Sequence, residues 1–81
     1  MKIKIFTTPW CSHCKPYIEQ ARQLIDDKIE LEIVDASQLD QEKIQELGVY
    51  SVPLTIVEED GEEIDRWNGN RTSKLMEYVQ N

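Results

Sequence analysis

The fold is decided by residues 2–25, which read KIKIFTTPWCSHCKPYIEQARQLI. The first part predicts a β-strand that ends before Pro9, because Ile3, Ile5 and Thr7 alternate with Lys2, Lys4 and Phe6. From Cys14 onward the pattern changes to helical spacing, with apolar residues at Cys14, Tyr17, Ile18, Ala21, Leu24 and Ile25. A strand, a turn and a helix are therefore expected, with Cys14 on the stripe that faces the sheet and Cys11 outside it.

A second strand and a second helix follow this segment. Ile29, Leu31 and Ile33 alternate with glutamates, which predicts the strand. The run Ser37-Gln38-Leu39-Asp40 has the pattern of a helix N-cap, and Gly48 is a typical residue for the helix end. A strand, helix, strand order of this kind makes a right-handed parallel crossover.

The last part of the chain predicts a β-hairpin and a helix. Residues 54–57 have the composition of a buried strand, Asp60-Gly61 is a tight-turn pair, and residues 63–67 form the returning strand. A final helix begins near Thr72 and presents one apolar face, formed by Leu75, Met76 and Val79. The chain is thus predicted to be one α/β domain, residues 1–81, with the order βαβαββα, a four-stranded mixed sheet and three helices.

Composition excludes several classes of function. The net charge of -7 repels phosphate backbones and anionic membrane surfaces, so neither nucleic acid nor membrane is an expected partner. There is no apolar run near the roughly 20 residues that a membrane span needs, and the N-terminus alternates where a signal peptide would be continuously apolar. We expect a cytoplasmic monomer.

Two cysteines at this spacing admit three interpretations. A structural staple is disfavoured, because small secreted domains usually carry more cysteines and so short a loop restricts the unfolded chain little. A zinc or iron–sulfur module remains an alternative, but Cys11, Cys14 and His13 fall short of the usual four ligands. A second chain or glutathione would have to complete such a site.

The third interpretation is disulfide exchange, in which the thiolate is the nucleophile. A sulfur on Cys11 at the start of the helix would receive unpaired N–H groups and the positive end of the helix dipole. His13 and Lys15 add positive charge, which also lowers the pKa of the Cys11 thiol. Cys14 is expected to be desolvated and to keep its proton. Cys11 is therefore the predicted attacking thiol and Cys14 the resolving thiol of a redox-active disulfide, with no further cofactor.

Two neighbours of the cysteines carry expectations of their own. Trp10 is predicted to be an aromatic that faces the substrate, with a core tryptophan as the alternative. Pro16 lacks a backbone donor and crowds the carbonyl of Ser12, which predicts a distorted first turn.

Several motifs together resemble the thioredoxin and glutaredoxin superfamily, over essentially the whole chain. Residues 10–15, WCSHCK, resemble the Trp-Cys-x-x-Cys-Lys signature of thioredoxins, and residues 47–53, LGVYSVP, resemble the segment that leads to the family's cis-proline. The resemblance implies a cis Pro53 that faces the two sulfurs and a Val52 backbone that pairs with an extended substrate. It also implies substrate contacts along the loops around the cysteines, at Trp10, Ser12, Ser51, Val52, Pro53, Trp67, Asn68 and Gly69.

Departures from the family pattern bear on the subfamily. Ile5 stands where classical thioredoxins carry a buried acid, while Thr8 and His13 replace the basic residue and the tyrosine common in glutaredoxins. Residues 67–71, WNGNR, resemble the Trp-x-Gly-x-Arg loop of glutaredoxin-like redoxins that serve ribonucleotide reductase. The resemblance implies protein disulfides as substrates, ribonucleotide reductase among them, and thioredoxin reductase as electron donor. A glutathione-dependent glutaredoxin is the alternative.

Overall fold

The structure is a computed structural model in which residues 1–79 are described, so the last two residues of the predicted domain lie outside this range. Its elements are β1 (Lys2–Thr7), α1 (Cys14–Leu24), β2 (Glu30–Asp35), α2 (Gln41–Leu47), β3 (Leu54–Glu59), β4 (Glu62–Asn68) and α3 (Thr72–Val79). A single 3₁₀ turn, Ala36–Gln38, lies between β2 and α2. The predicted order βαβαββα is confirmed. Within residues 1–79, the helices are too short or too polar to cross a membrane.

The four strands form one mixed sheet in the order β2-β1-β3-β4. β1 pairs with β2 in parallel and with β3 antiparallel, and β3 and β4 form an antiparallel hairpin. Asp60 and Gly61 both have positive φ, 54° and 81°, which is the backbone that a two-residue hairpin turn requires. The hairpin predicted from this dipeptide is confirmed.

The central position of β1 corrects one expectation. Phe6 was grouped with the two lysines of the strand, yet its side chain is as buried as those of Ile3 and Ile5. A strand inside the sheet has helices on both faces, so apolar residues of either alternation become buried there.

The core is divided between the two faces of the sheet. One cluster, which we call the closed face, lies under α1 and α3 and contains Ile3, Ile5, Tyr17, Ala21, Val57, Trp67 and Leu75. The other cluster, the open face, lies on the side of the 3₁₀ turn and α2 and contains Phe6, Ala36, Val49, Leu54 and Ile56.

Polar groups inside the closed face are paired with one another. The Tyr17 hydroxyl lies 2.6 Å from the Thr55 hydroxyl and accepts a hydrogen bond of 2.9 Å from the Trp67 indole N–H. Burial raises the pKa of Tyr17, so this hydroxyl stays neutral. The three side chains link α1, β3 and β4 through buried hydrogen bonds.

The start of α2 differs from the prediction. Asp40 is the N-cap, with its carboxylate accepting a 2.8 Å hydrogen bond from the Lys43 N–H. Ser37, the predicted cap, lies in the 3₁₀ turn, where Asp35 accepts its N–H at 2.9 Å. The helix N-cap therefore lies within the predicted run, at its last residue and not at its first, because Asp35 and Asp40 each cap a separate turn. Gly48 ends α2 with φ 73°, as expected.

Candidate active site

Cys11 and Cys14 form a disulfide whose Cα atoms are 5.4 Å apart. Cys14 is the first residue of α1 and is 1% exposed, whereas Cys11 is partly exposed. Cys11 was expected at the helix start, but it lies in the preceding turn, where its N–H donates to the Thr8 carbonyl at 3.2 Å. The pair is asymmetric, with one sulfur-bearing residue reachable from solvent and the other enclosed by the core.

The residues between and after the cysteines are on the surface. Ser12, His13 and Lys15 are exposed, and His13 occupies the N-cap position of α1 without a side-chain cap hydrogen bond. Pro16 is the third residue of α1, and the helix runs without interruption from Cys14. The expected distortion is absent because N–H groups in the first turn have no helical partner to lose.

The segment before β3 has the backbone that the resemblance implied, since the Val52-Pro53 peptide bond is cis. The Pro53 carbonyl accepts a 2.9 Å hydrogen bond from the Gly69 N–H, and the Ser51 hydroxyl donates to the Asn68 side-chain oxygen at 2.8 Å. The cis-proline segment and the loop after β4 are thus tied together at one end of the sheet.

The two tryptophans occupy opposite environments. Trp10 is 75% exposed beside Cys11, so it is not a core tryptophan, and its contact with substrate stays a prediction. Trp67 is 4% exposed and its ring lies in the closed face, so its predicted contact with substrate stays a prediction. It stacks on Tyr78 with ring centroids 6.1 Å apart, and the Lys74 ammonium lies 5.4 Å from its centroid.

A cavity of about 250 Å³ lies between the loop before the cysteines and the cis-proline segment. Trp10 lines it from the loop before the cysteines, and Ser51 and Val52 line it from the cis-proline segment. Its remaining walls come from the open face and from the loop after α2, and include Ala36, Ile44, Val49 and Tyr50. The site therefore has an apolar recess between Trp10 and the cis-proline segment.

Tyr50 was missed by sequence reasoning, although it is 83% exposed and lines this cavity. The sequence feature that could have indicated Tyr50 is a large aromatic residue in a loop, between a helix-ending glycine and a proline.

A second cavity shares Thr8 and Trp10 with the first and is lined by Cys11, Ser12 and Lys15. It brings four of the predicted site residues together, namely Trp10, Cys11, Ser12 and Lys15.

Across residues 1–79, His, Cys, Asp and Glu side chains form no group of three or more that could hold a metal ion. Both cysteine sulfurs are bonded to each other.

A mixed sheet between helices, carrying a Cys-x-x-Cys disulfide at the end where a cis-proline precedes a strand, defines the class of thiol–disulfide oxidoreductases. The family model described as Thioredoxin matches residues 3–81. The chain belongs to the thioredoxin family, and it has the protein-disulfide oxidoreductase activity of that family.

Individual relatives agree with this assignment. The chain is 30% identical over 79 residues to the thioredoxin of Bacillus subtilis (strain 168), a match that covers 94% of this chain and 75% of the relative. It is 32% identical over 65 residues to the thioredoxin of Methanocaldococcus jannaschii, covering 76% of this chain and 75% of that protein. Among solved structures, Fasciola hepatica thioredoxin superposes with a TM-score of 0.84 at 26% identity, covering 98% of this chain and 77% of that chain.

Proposed function

We propose that this chain reduces disulfide bonds in proteins, with Cys11 as the attacking thiolate and Cys14 as the resolving thiol. The observation that carries the proposal is the difference in burial within one disulfide: Cys14 is 1% exposed and Cys11 is partly exposed. A substrate disulfide can reach the exposed sulfur, while the buried sulfur reacts only with what is already attached to its neighbour.

The reaction then proceeds in two exchanges. The Cys11 thiolate attacks one sulfur of the substrate disulfide, so that a mixed disulfide forms and the other substrate sulfur leaves as a thiolate. Cys14 then loses its proton to the departed substrate thiolate or to water, and the resulting Cys14 thiolate attacks the Cys11 sulfur. This attack releases the second substrate thiolate and forms the Cys11–Cys14 disulfide. Two electrons pass from the protein to its substrate, and the domain itself uses no other cofactor.

The surroundings of Cys11 favour its anionic form. Lys15 and Cys11 line the same cavity, and His13 lies at the N-terminal end of α1. Positive charge and the helix dipole at this position stabilise a thiolate more than a thiol, whereas burial opposes ionisation of Cys14. His13 and Lys15 are therefore proposed to tune the pKa of Cys11, and Cys14 is proposed to wait in its neutral form.

Substrate binding is assigned to the cis-proline segment and the loops beside it. Within residues 1–79, neither the N–H nor the C=O of Val52 takes part in a hydrogen bond. Unpaired backbone groups of this kind accept an extended peptide as an added strand. Trp10, Ser12, Ser51, Pro53, Asn68 and Gly69 would flank that strand.

We further propose an electron donor, a physiological substrate and a compartment for this protein. Relatives named thioredoxin support thioredoxin reductase as the donor. The resemblance of residues 67–71 to redoxins that serve ribonucleotide reductase supports that enzyme as a substrate. Glutathione is the alternative donor, and the cytoplasm is the proposed compartment.

Insulin reduction tests the proposed function and its donor together. Wild-type protein should reduce insulin with NADPH and thioredoxin reductase, and much more slowly with glutathione and glutathione reductase. Cys11→Ser should be inactive with either system. A wild-type protein that reduces no insulin with either donor would overturn the proposal, and a stoichiometric metal in freshly purified reduced protein would favour the zinc or iron–sulfur alternative.

A further inference from the structure

A side-chain hydrogen bond crosses the proposed substrate face between two segments 17 residues apart in sequence. The Ser51 hydroxyl donates to Oδ1 of Asn68 at 2.8 Å, and both residues are exposed. We call this pair the Ser51–Asn68 clasp. The main-chain hydrogen bond from Gly69 to Pro53, 2.9 Å long, runs beside it. The clasp is therefore held on a fixed backbone next to the cis-proline.

The clasp leaves one end of the Asn68 amide without a partner. Its oxygen is taken by Ser51, and among residues 1–79 no group accepts a hydrogen bond from its Nδ2. Because an amide is planar, fixing the direction of its oxygen also fixes the direction of its two N–H groups. Asn68 thus presents oriented donors at the surface.

The N–H donors of the Asn68 side chain lie near the unpaired main-chain groups of Val52. Val52 follows Ser51 directly, and its N–H and C=O are without hydrogen-bond partners within the described part of the chain. Asn68 is the register partner of Leu54, two residues after Val52. An extended peptide that pairs with Val52 would therefore run past Asn68. One of the main-chain carbonyl groups of that peptide would then lie near the Asn68 amide.

We infer that Asn68 determines substrate specificity by donating a hydrogen bond to a main-chain carbonyl of an extended protein substrate, and that Ser51 is the positioning residue that orients it. This inference rests on the proposed function and deepens it. It predicts that the Asn68 amide contributes to the reduction of disulfides within extended polypeptide, and not to the reduction of small disulfides that have no peptide chain.

The test compares insulin with dithiodipyridine, a small uncharged disulfide that has no peptide chain. Asn68→Asp keeps an oxygen for the Ser51 hydroxyl but removes the amide donors. The ratio of kcat/KM for insulin to that for dithiodipyridine should fall about tenfold, the effect of one good hydrogen bond. Asn70→Asp adds the same charge to the same loop at an exposed position and should keep the wild-type ratio.

Coupling between the two residues gives a second readout. Ser51→Ala leaves the donors in place without their orientation, so the ratio should fall about two- to threefold. The double variant of Ser51→Ala with Asn68→Ala should be no worse than Asn68→Ala alone, because the two residues act through one amide. Additive losses would contradict the positioning role of Ser51.

Failure of this inference can be told apart from failure of the proposed function. If wild type reduces both substrates and Asn68→Asp keeps the wild-type ratio, the clasp has no part in specificity and the inference is overturned. Equal losses on both substrates would overturn it too, because the residue would then act on the disulfide itself. A wild-type protein that reduces dithiodipyridine but not insulin would overturn the proposed function instead.

Discussion

The two faces of the sheet are built differently. The closed face lies under α1 and α3, and its hydrogen-bonding side chains, Tyr17, Thr55 and Trp67, are paired with one another. The open face is covered by a 3₁₀ turn and by α2, a helix of 7 residues with no buried side chain. A cavity of about 250 Å³ remains beside it, next to the exposed rings of Trp10 and Tyr50. One face is therefore closely packed, and the other leaves a recess open beside Trp10 and Tyr50.

The largest expected effect is on stability, at the closed face. Leu75 is 0% exposed, and Leu75→Ala should lower the free energy of unfolding by about 3 kcal/mol, because a fully enclosed side chain leaves a cavity behind. Ile44→Ala, on the half-buried side of α2, should cost about 1 kcal/mol. Urea unfolding measures both. Equal losses would contradict the distinction between the two faces.

A second variant removes one atom from the closed face. Tyr17→Phe leaves the Thr55 hydroxyl and the Trp67 indole N–H without their buried partner, which should cost about 1–3 kcal/mol. Tyr50→Phe makes the same chemical change at an exposed ring and should stay within about 0.5 kcal/mol of wild type. A Tyr17→Phe protein as stable as wild type would show that the buried hydroxyl adds nothing to the core.

Substitutions at the exposed aromatic residues of the open face should change the reductase activity more than the free energy of unfolding. Tyr50→Ala removes one wall of the cavity and should lower kcat/KM for insulin about fivefold, the effect of roughly 1 kcal/mol of lost apolar contact. Ile64→Ala is a matched control, because Ile64 is also a large exposed apolar residue but lies on β4. If both variants lose the same activity, the cavity is not a substrate recess.

The smallest expected effect is a pH dependence near the closed face. The Tyr78 hydroxyl donates to the Asp65 carboxylate at 2.6 Å and Lys74 lies 3.1 Å from it, and these contacts lower the pKa of Asp65 below its usual 3.8. Since the folded pKa is the lower one, the stabilisation is fully present above the unfolded pKa. This stabilisation is lost as the pH falls through the pKa that Asp65 has in the folded protein.

Urea unfolding between pH 5 and pH 2 checks this effect. Asp65→Asn should flatten the loss of stability on acidification by up to about 1 kcal/mol relative to wild type. Asp27→Asn changes an exposed carboxylate that has no hydrogen bond or ion pair within residues 1–79, and it should follow the wild-type curve. An Asp65→Asn curve parallel to wild type would contradict the assigned contacts.

Features that depend on neighbouring residues were predictable from sequence. The hairpin follows from Asp60-Gly61 because those two residues tolerate positive φ, and the burial of Cys14 follows from its place on the helical stripe. The cis Val52-Pro53 bond was implied by the family resemblance and by nothing in local propensity.

Features that depend on distant segments were not predictable. Trp67 is buried and Tyr50 is exposed because α1 and α3 cover one face of the sheet while α2 leaves part of the other open. The cavity is built from four separate segments, so no window of sequence contains it. The Ser51–Asn68 clasp likewise joins the loop before β3 to the last residue of β4, and the sheet sets the approach of these two segments.

The central claim is that the two cysteines of one motif differ in reactivity. Brief iodoacetamide treatment of the fully reduced protein at pH 7, followed by mass spectrometry of the peptides, measures each thiol separately. Alkylation at Cys11 should be at least about tenfold faster than at Cys14. Equal slow rates at both thiols, or faster alkylation at Cys14, would contradict the account.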